Sequence, residues 1–208
     1  GKLATSKDNF IHSKINFKIT NQHSNNISHL LRYKNDSILI SSKTLNIDNP
    51  KLNCRINGLD KFSPKRIILD RNLSINLKSN IFLTLNKKNT LIFYNRGNSN
   101  KIKLLKKKGA KLILLPVNEN NHFNLHHVLK KIYLFGCRKL LVEGGKNLTD
   151  NFLKKKLFNQ FYLFKSSNKL GNNGKLNVSS QLQQLNFIYK NKCRIKSFTG
   201  KDTINIYS

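Results

Sequence analysis

The chain has 208 residues, enough for one domain with a real core, and carries 39 lysines and arginines against 9 acids, a formal charge of +30. Its hydrophobic residues, 38% of the total, gather into short runs such as Ser37–Ile40, Arg66–Leu69 and Lys111–Leu115, which excludes a disordered polycation. No run approaches the roughly 18 apolar residues that span a bilayer, and Gly1–Ser6 has no signal-peptide core, so a soluble, cytoplasmic protein with no membrane partner is expected.

Taken in order, residues 2–6 read as a strand and Ser24 to Tyr33 as a helix with Ile27, Leu30 and Leu31 on its apolar face. Asp36 to Ser41 is a strand, and Thr44 to Leu52 a loop or short helix ended by Pro50. Arg66 to Leu69 and Thr90 to Tyr94 read as buried strands. Asn98 to Lys108 is a helix stopped by Gly109, Ala110 to Leu115 a strand stopped by Pro116, and Asn124 to Phe135 a helix ended by Gly136. Lys139 to Val142 is a strand, 148–157 a helix and 159–165 a strand, with three short strands expected in 186–206. From about residue 90 to 165 strand and helix alternate, which predicts parallel crossovers with helices covering a central sheet. The closing strands lack helices between them, so that edge is expected to be antiparallel. There is no internal repeat and no long linker. The expectation is one α/β domain.

The positive charge has two readings. One is nucleic-acid binding. The other is drift in an A/T-rich genome, which raises Lys, Asn, Ile, Leu and Phe together. The lysines are spread along the chain, and the runs Lys106–Lys108 and Lys154–Lys156 fall on predicted helices without interleaved aromatics. Drift fits better, and no specific nucleic-acid partner is expected. Cys54, Cys137 and Cys193 are far apart and lack CxxC spacing, so neither a disulfide framework nor a metal site is expected; Cys137 reads as a small core residue at a strand start. The absence of methionine suggests a piece of a longer chain.

The stretch most suggestive of chemistry is Leu141-Val142-Glu143-Gly144-Gly145-Lys146-Asn147-Leu148. A strand ending in an acid and two glycines, then opening a helix, is how α/β enzymes present backbone N–H groups to a phosphate. Alone the pattern is also that of an ordinary turn.

Four ordered blocks narrow the reading. They are Lys2–Asp8; His29-Leu30-Leu31-Arg32 through the strand to Thr44-x3-Asp48-x-Pro50-x-Leu52-x2-Arg55; Pro64–Asp70; and Val142-Glu143-Gly144-Gly145. In these the chain resembles the reductase domain of the bifunctional riboflavin-biosynthesis deaminase/reductase. That resemblance implies a dihydrofolate-reductase-like fold, a three-layer αβα architecture with a mixed, mostly parallel sheet and antiparallel C-terminal edge strands. It implies hydride transfer from NADPH to sugar C1′ of 5-amino-6-(5-phosphoribosylamino)uracil, a phosphorylated pyrimidine-ribosyl substrate. A reductase acting on the 2,5-diamino pyrimidinone, a basic nucleic-acid-binding module, and a scaffold that has lost cofactor binding are the alternatives.

By resemblance, Arg32 and Arg55 contact the substrate, where bidentate guanidinium pairing explains arginine in a lysine-rich chain. Asn16, Leu52 and Glu143 fall at further substrate positions. Ala4, Lys18, Thr44, Asp48, Arg71 and the run Gly145, Lys146, Asn147, Leu148, Thr149, Asp150 and Asn151 fall at cofactor positions. Glu143, the family's substrate-contacting acid, is the expected catalytic residue, orienting the base or the sugar hydroxyls and sharing in proton handling, with Lys2 or Asp8 assisting protonation of the ring oxygen. The family's partners are a second copy, forming a homodimer, and a zinc deaminase domain in the same longer chain. Departures are concentrated early: Asn9 replaces the turn glycine, Asn16 a serine and Lys18 a tryptophan, with Phe17 a candidate to supply the missing aromatic surface. Later, Ser167–Gly171 is a worn form of a family motif, and Lys146 stands where a proline is usual.

Overall fold

Apolar runs form the strands and amphipathic stretches the helices of this structure, a computed structural model that describes residues 1–15, 18–83, 89–195 and 200–208. In chain order the elements are β1 (Lys2–Thr5), β2 (Phe10–Ser13), α1 (Gln22–Tyr33), β3 (Ser37–Ser41), α2 (Ser42–Asp48), β4 (Lys65–Leu69), β5 (Thr90–Tyr94) and α3 (Ser99–Lys107). There follow β6 (Lys111–Leu114), α4 (Leu125–Leu134), β7 (Leu140–Val142), α5 (Lys146–Lys154), β8 (Phe161–Lys165), β9 (Gly174–Asn177), α6 (Ser179–Ile188), β10 (Lys192–Ile195) and β11 (Thr203–Tyr207). The chain divides into two compact units, one of residues Leu31–Leu141 and one of Gly1–Leu30 with Val142–Ser208.

The first of these units holds a sheet of order β6-β5-β4-β3-β7, in which β3, β4, β5 and β6 pair in parallel. Ile38, Leu39, Ile40, Ile67, Ile68, Leu91, Ile92 and Phe93 are completely buried, as expected of parallel strands covered on both faces. β7 lies beside β3 although the two are far apart in sequence. Asp36 sets that pairing: its Oδ2 accepts from Arg138 N at 2.7 Å and Lys139 N at 2.8 Å. Its carboxyl pKa is lowered, first by the Lys139 N–H, against the opposing effect of burial, and then by the Arg138 N–H and the charges of Lys139 and Lys65.

In the other unit β1 pairs in parallel with β8, while β8-β11 and β11-β10 are antiparallel, the predicted antiparallel edge. β2 and β9 form a separate antiparallel pair. Asp202 closes the start of α1, its Oδ2 accepting from Asn21 N and Ser24 Oγ, both at 2.8 Å.

Several expectations change. Among the described residues 186–206 holds two strands, and residues 186–188 belong to α6, whose buried positions Gln181 and Leu185 are four apart; its glutamines hid the helical period. β2 and β9 escaped the sequence because each has four residues and its partner lies some 160 positions away. α2 begins at Ser42, two residues before Thr44, and ends at Asp48, two residues before Pro50, where Asn49 takes a left-handed C-cap with φ 42°. α5 begins two residues before Leu148, and Cys137 is buried ahead of β7 instead of opening it. Among the described residues the strands form sheets of four, two and five strands, the five-stranded one mostly parallel.

Candidate active site

Glu143 follows the buried end of β7, is half-buried itself, and pairs backbone to backbone with Lys2 in a parallel bridge. An acid and an amine thus stand side by side on adjacent backbones. Gly144 leaves a side chain little room: a Cβ there would lie 3.1 Å from Leu148 Cβ and Thr149 Oγ1 and 3.2 Å from Thr149 N. Gly145 is the N-cap of α5 and brings no side-chain acceptor to the first N–H groups, whereas α2, α3 and α4 are capped by Ser41, Asn98 and Asn124. The first turn of α5 carries no acid and opens with Lys146. A cation at the positive end of a helix dipole is the wrong sign for an isolated helix and the right one beside an anion.

Within the rest of this stretch the side chains divide. Leu148 and Thr149 are buried, and Asp150 is tied to Lys154 Nζ at 2.7 Å and to Gln181 Nε2 at 3.0 Å. Burial pushes the Asp150 carboxyl up, but those hydrogen bonds and the nearby lysine charges outweigh it and lower the pKa. What remains for a ligand is the backbone N–H groups of the first turn, half-buried Lys146, exposed Asn147 and half-buried Asn151.

β1, with half-buried Ala4 in register with Phe164, leads into a turn whose hub is Asp8. Its carboxylate accepts from Ser6 Oγ at 2.6 Å, Leu170 N at 3.0 Å and Gly171 N at 2.8 Å. Burial raises the carboxyl pKa, yet the Ser6 hydroxyl and the N–H groups of Leu170, Gly171 and Asp8 itself hold it at about 2. An anion so engaged suits fixing the turn and does not suit donating a proton at neutral pH. Asn9 adopts φ 68°, a left-handed conformation that asparagine accepts more readily than most residues, and its Nδ2 donates to Ser179 Oγ at 3.0 Å. The glycine expected here is therefore replaced without losing the turn. Lys2 Nζ lies 5.1 Å from the centre of the Phe164 ring. Lys18 is exposed ahead of α1, and Asn16 and Phe17 lie outside the described residues.

In the other unit, Ser41 Oγ accepts from Thr44 N at 3.2 Å and lies 3.1 Å from Thr44 Oγ1, which fixes the Thr44 hydroxyl in the first turn of α2. Asp48 is the exposed last residue of that helix. Asn49 Oδ1 accepts from Asn80 N at 2.7 Å, and Asn46 Oδ1 from Asn76 N at 3.2 Å, so the C-terminal turn of the helix is held. Leu52 is 1% exposed at φ 57°, a left-handed conformation uncommon in a bulky residue, and it packs as core of its unit. Arg32 Nη1 donates to Asn53 O at 3.2 Å, and Arg55 Nη1 to Asn53 Oδ1 at 3.0 Å. Two guanidinium groups, 23 positions apart in sequence by their numbers, meet on one asparagine. Arg71, half-buried after β4, donates through Nη1 to Asn121 O at 2.5 Å, while its carbonyl accepts from Asn95 N and Arg96 N.

Comparison with known proteins gives this arrangement a relationship. The sequence profile described as RibD C-terminal domain matches residues 2–200. The chain belongs to that family. It is 32% identical over 146 residues, 70% of its length, to the riboflavin biosynthesis protein RibD of Aquifex aeolicus, and spans 39% of that protein. It is 28% identical over 183 residues to the 5-amino-6-(5-phosphoribosylamino)uracil reductase of Buchnera aphidicola, covering 79% of this chain and 84% of that one. The structure of Acinetobacter baumannii RibD superposes with a TM-score of 0.77 at 18% identity, over 99% of this chain and 56% of that one. The mixed α/β fold is that of the RibD reductases.

Within this RibD-family domain the structure brings together Lys2 with Glu143, Thr44 with its cap Ser41, and Arg32 with Arg55. Sequence reasoning missed Ser41, Asn53 and Asp36. Ser41 was legible as a strand-end serine three residues before Thr44, a standard cap spacing. Asn53 carried no signal beyond lying between Leu52 and Arg55.

Proposed function

We propose that this chain is an NADPH-dependent reductase of riboflavin biosynthesis acting on 5-amino-6-(5-phosphoribosylamino)uracil. The observation that carries the reading is the Glu143-Gly144-Gly145 turn into an uncapped α5, in a chain that covers most of a relative named as this reductase. The residues present suit a pyrophosphate-bearing cofactor: a tight turn at Gly144, a first helical turn without acids, and Lys146 at its start. NADPH, when bound, supplies a hydride to sugar C1′. Lys146, Asn147 and the first-turn N–H groups of α5 are assigned to its pyrophosphate, and Ala4, Thr44, Asp48 and Arg71 to the rest of it.

Arg32 and Arg55 are assigned to the substrate phosphate. Glu143 is assigned to orient the base or the sugar hydroxyls. With Asp8 held as an engaged anion, Lys2 is the residue we assign to protonate the ring oxygen as the ribose opens. The reading extends to a cytoplasmic homodimer joined, in the same longer chain, to a zinc deaminase domain; the 39% span of the Aquifex protein supports the longer chain.

The test is NADPH oxidation with 5-amino-6-(5-phosphoribosylamino)uracil and, separately, with its 2,5-diamino pyrimidinone precursor. Faster turnover of the first supports the reading, faster turnover of the second moves the enzyme one reaction earlier, and no oxidation with either overturns it.

A further inference from the structure

Within the unit of residues Leu31–Leu141 the parallel strands β3 to β6 all start at one edge of their sheet. Ser41, which closes β3, and Arg71, which follows β4, belong to the opposite edge. At the starting edge the fold gathers cations and aromatic rings from distant stretches of sequence. Lys65 opens β4 and Lys111 opens β6, two strands and about 10 Å apart. Their ammonium groups nevertheless lie 5.1 and 4.8 Å from the centre of one ring, that of Phe135 at the end of α4. The Arg138 guanidinium lies 3.8 Å from the centre of the Tyr133 ring, and the Arg138 N–H is tied to Asp36 just before β3. On the approach to β4, Lys61 Nζ stands 5.3 Å from the centre of the Phe62 ring, which meets the Tyr33 ring edge to face at 5.7 Å.

These rings are too open to serve as core: Tyr33 is 41% exposed, Phe62 51% and Tyr133 56%. Apolar residues scattered singly over a surface need no explanation, but open rings collected at one sheet edge beside cations do. The acids nearby among the described residues are Asp36, whose carboxylate already accepts from Arg138 N and Lys139 N, and exposed Asp60. Charge then selects the occupant. A second copy of the chain would set its own cations against these. An acidic peptide would answer the charge and leave the rings facing water. A single strand of nucleic acid brings phosphates for the cations and flat bases for the rings, the combination on which sequence-blind single-strand binding rests. RNA presents unpaired bases in its loops and ends, whereas DNA holds them in a duplex.

We infer that this edge of the sheet is a binding surface for single-stranded RNA, read without regard to sequence. It is separate from the proposed reductase site and does not depend on that reading.

The test is fluorescence anisotropy of a labelled oligouridylate of about 12 nucleotides, titrated with the chain at about 0.15 M salt. Tyr133→Ser and Phe62→Ser change no charge, and each is expected to weaken binding at least about fivefold, the scale of one lost base stack. Lys111→Gln/Arg138→Gln removes two charges from this edge, and Lys175→Gln/Lys190→Gln removes two exposed charges from the other unit. The first pair is expected to weaken binding about tenfold and the second less than about twofold. Equal losses from the two pairs, or aromatic variants that bind as wild type does, mark the general attraction of a polycation and overturn the proposal. Polyglutamate that displaces the RNA as readily as unlabelled RNA does points to an acidic protein partner and also overturns it. Tighter binding of single-stranded DNA of the same length overturns the choice of RNA. Thermal melting checks folding; should Phe62→Ser melt early, Tyr133→Ser and the charge pairs decide the outcome. Tyr133→Ser is expected to keep the wild-type rate of NADPH oxidation, and a rate that falls in step with RNA binding overturns a separate surface.

Discussion

At the residue scale, Asp8 shows how one carboxylate is turned from a reagent into a fastener. The Ser6 hydroxyl and the N–H groups of Leu170, Gly171 and Asp8 itself hold its folded pKa at about 2, below the ordinary value of 3.8. The ionised form therefore stabilises the fold above about pH 4, and that stabilisation is lost as pH falls through about 2. Asp8→Asn is expected to lower the unfolding free energy at pH 7 by about 1–2 kcal/mol, and its gap from wild type should narrow between about pH 4 and pH 2. Urea denaturation at several pH values measures this; a gap independent of pH would contradict the account. Glu143 makes the opposite case. It is half-buried at a strand end beside Lys2, and Glu143→Gln is expected to cut kcat by about a hundredfold with little change in urea midpoint, read by NADPH oxidation.

At the scale of elements, helix starts differ in whether a side chain satisfies their first N–H groups. α2, α3 and α4 satisfy their first N–H groups with Ser41, Asn98 and Asn124. Ser41→Ala removes such a cap and the neighbour of the Thr44 hydroxyl, so a loss of about 1 kcal/mol in urea stability and a raised KM for NADPH are expected together. α5 has a glycine cap instead, and its turn is packed tightly enough that Gly144→Ala forces Leu148 or Thr149 to move. That substitution is expected to destabilise by about 1–3 kcal/mol and to weaken NADPH binding, checked by melting and by fluorescence titration. The loss in binding should exceed that from Ser41→Ala, because the helix start itself is displaced.

At the scale of the whole molecule, a formal charge of +30 leaves most cations without an acid to pair with. Aromatic faces take part of the load: Lys65 and Lys111 lie 5.1 and 4.8 Å from the centre of the Phe135 ring, Lys192 lies 5.2 Å from Tyr207, and the Arg138 guanidinium lies 3.8 Å from Tyr133. Like-charge repulsion still opposes the folded state, so added salt is expected to raise the melting temperature. The same screening should lower kcat/KM for the anionic substrate as salt rises above about 0.15 M. Binding to DNA should fade over that range without sequence preference; a tight, sequence-selective site surviving it would favour the nucleic-acid reading.

Sequence by itself determined the strand-helix alternation from β5 to β8, because the strands are short apolar runs and the intervening helices end where Gly109 and Gly136 allow a left-handed turn. It also determined the family, through residues that stand in order across four blocks. Only tertiary structure decided what joins residues distant in the chain. The β2–β9 pair, the seating of β7 on Asp36, the engagement of Asp8 by Leu170 and Gly171, and the meeting of Arg32 and Arg55 on Asn53 are all long-range contacts. Such contacts leave no local period or cap signature, since the hydrogen bonds that select them exist only once the backbone has brought both partners together.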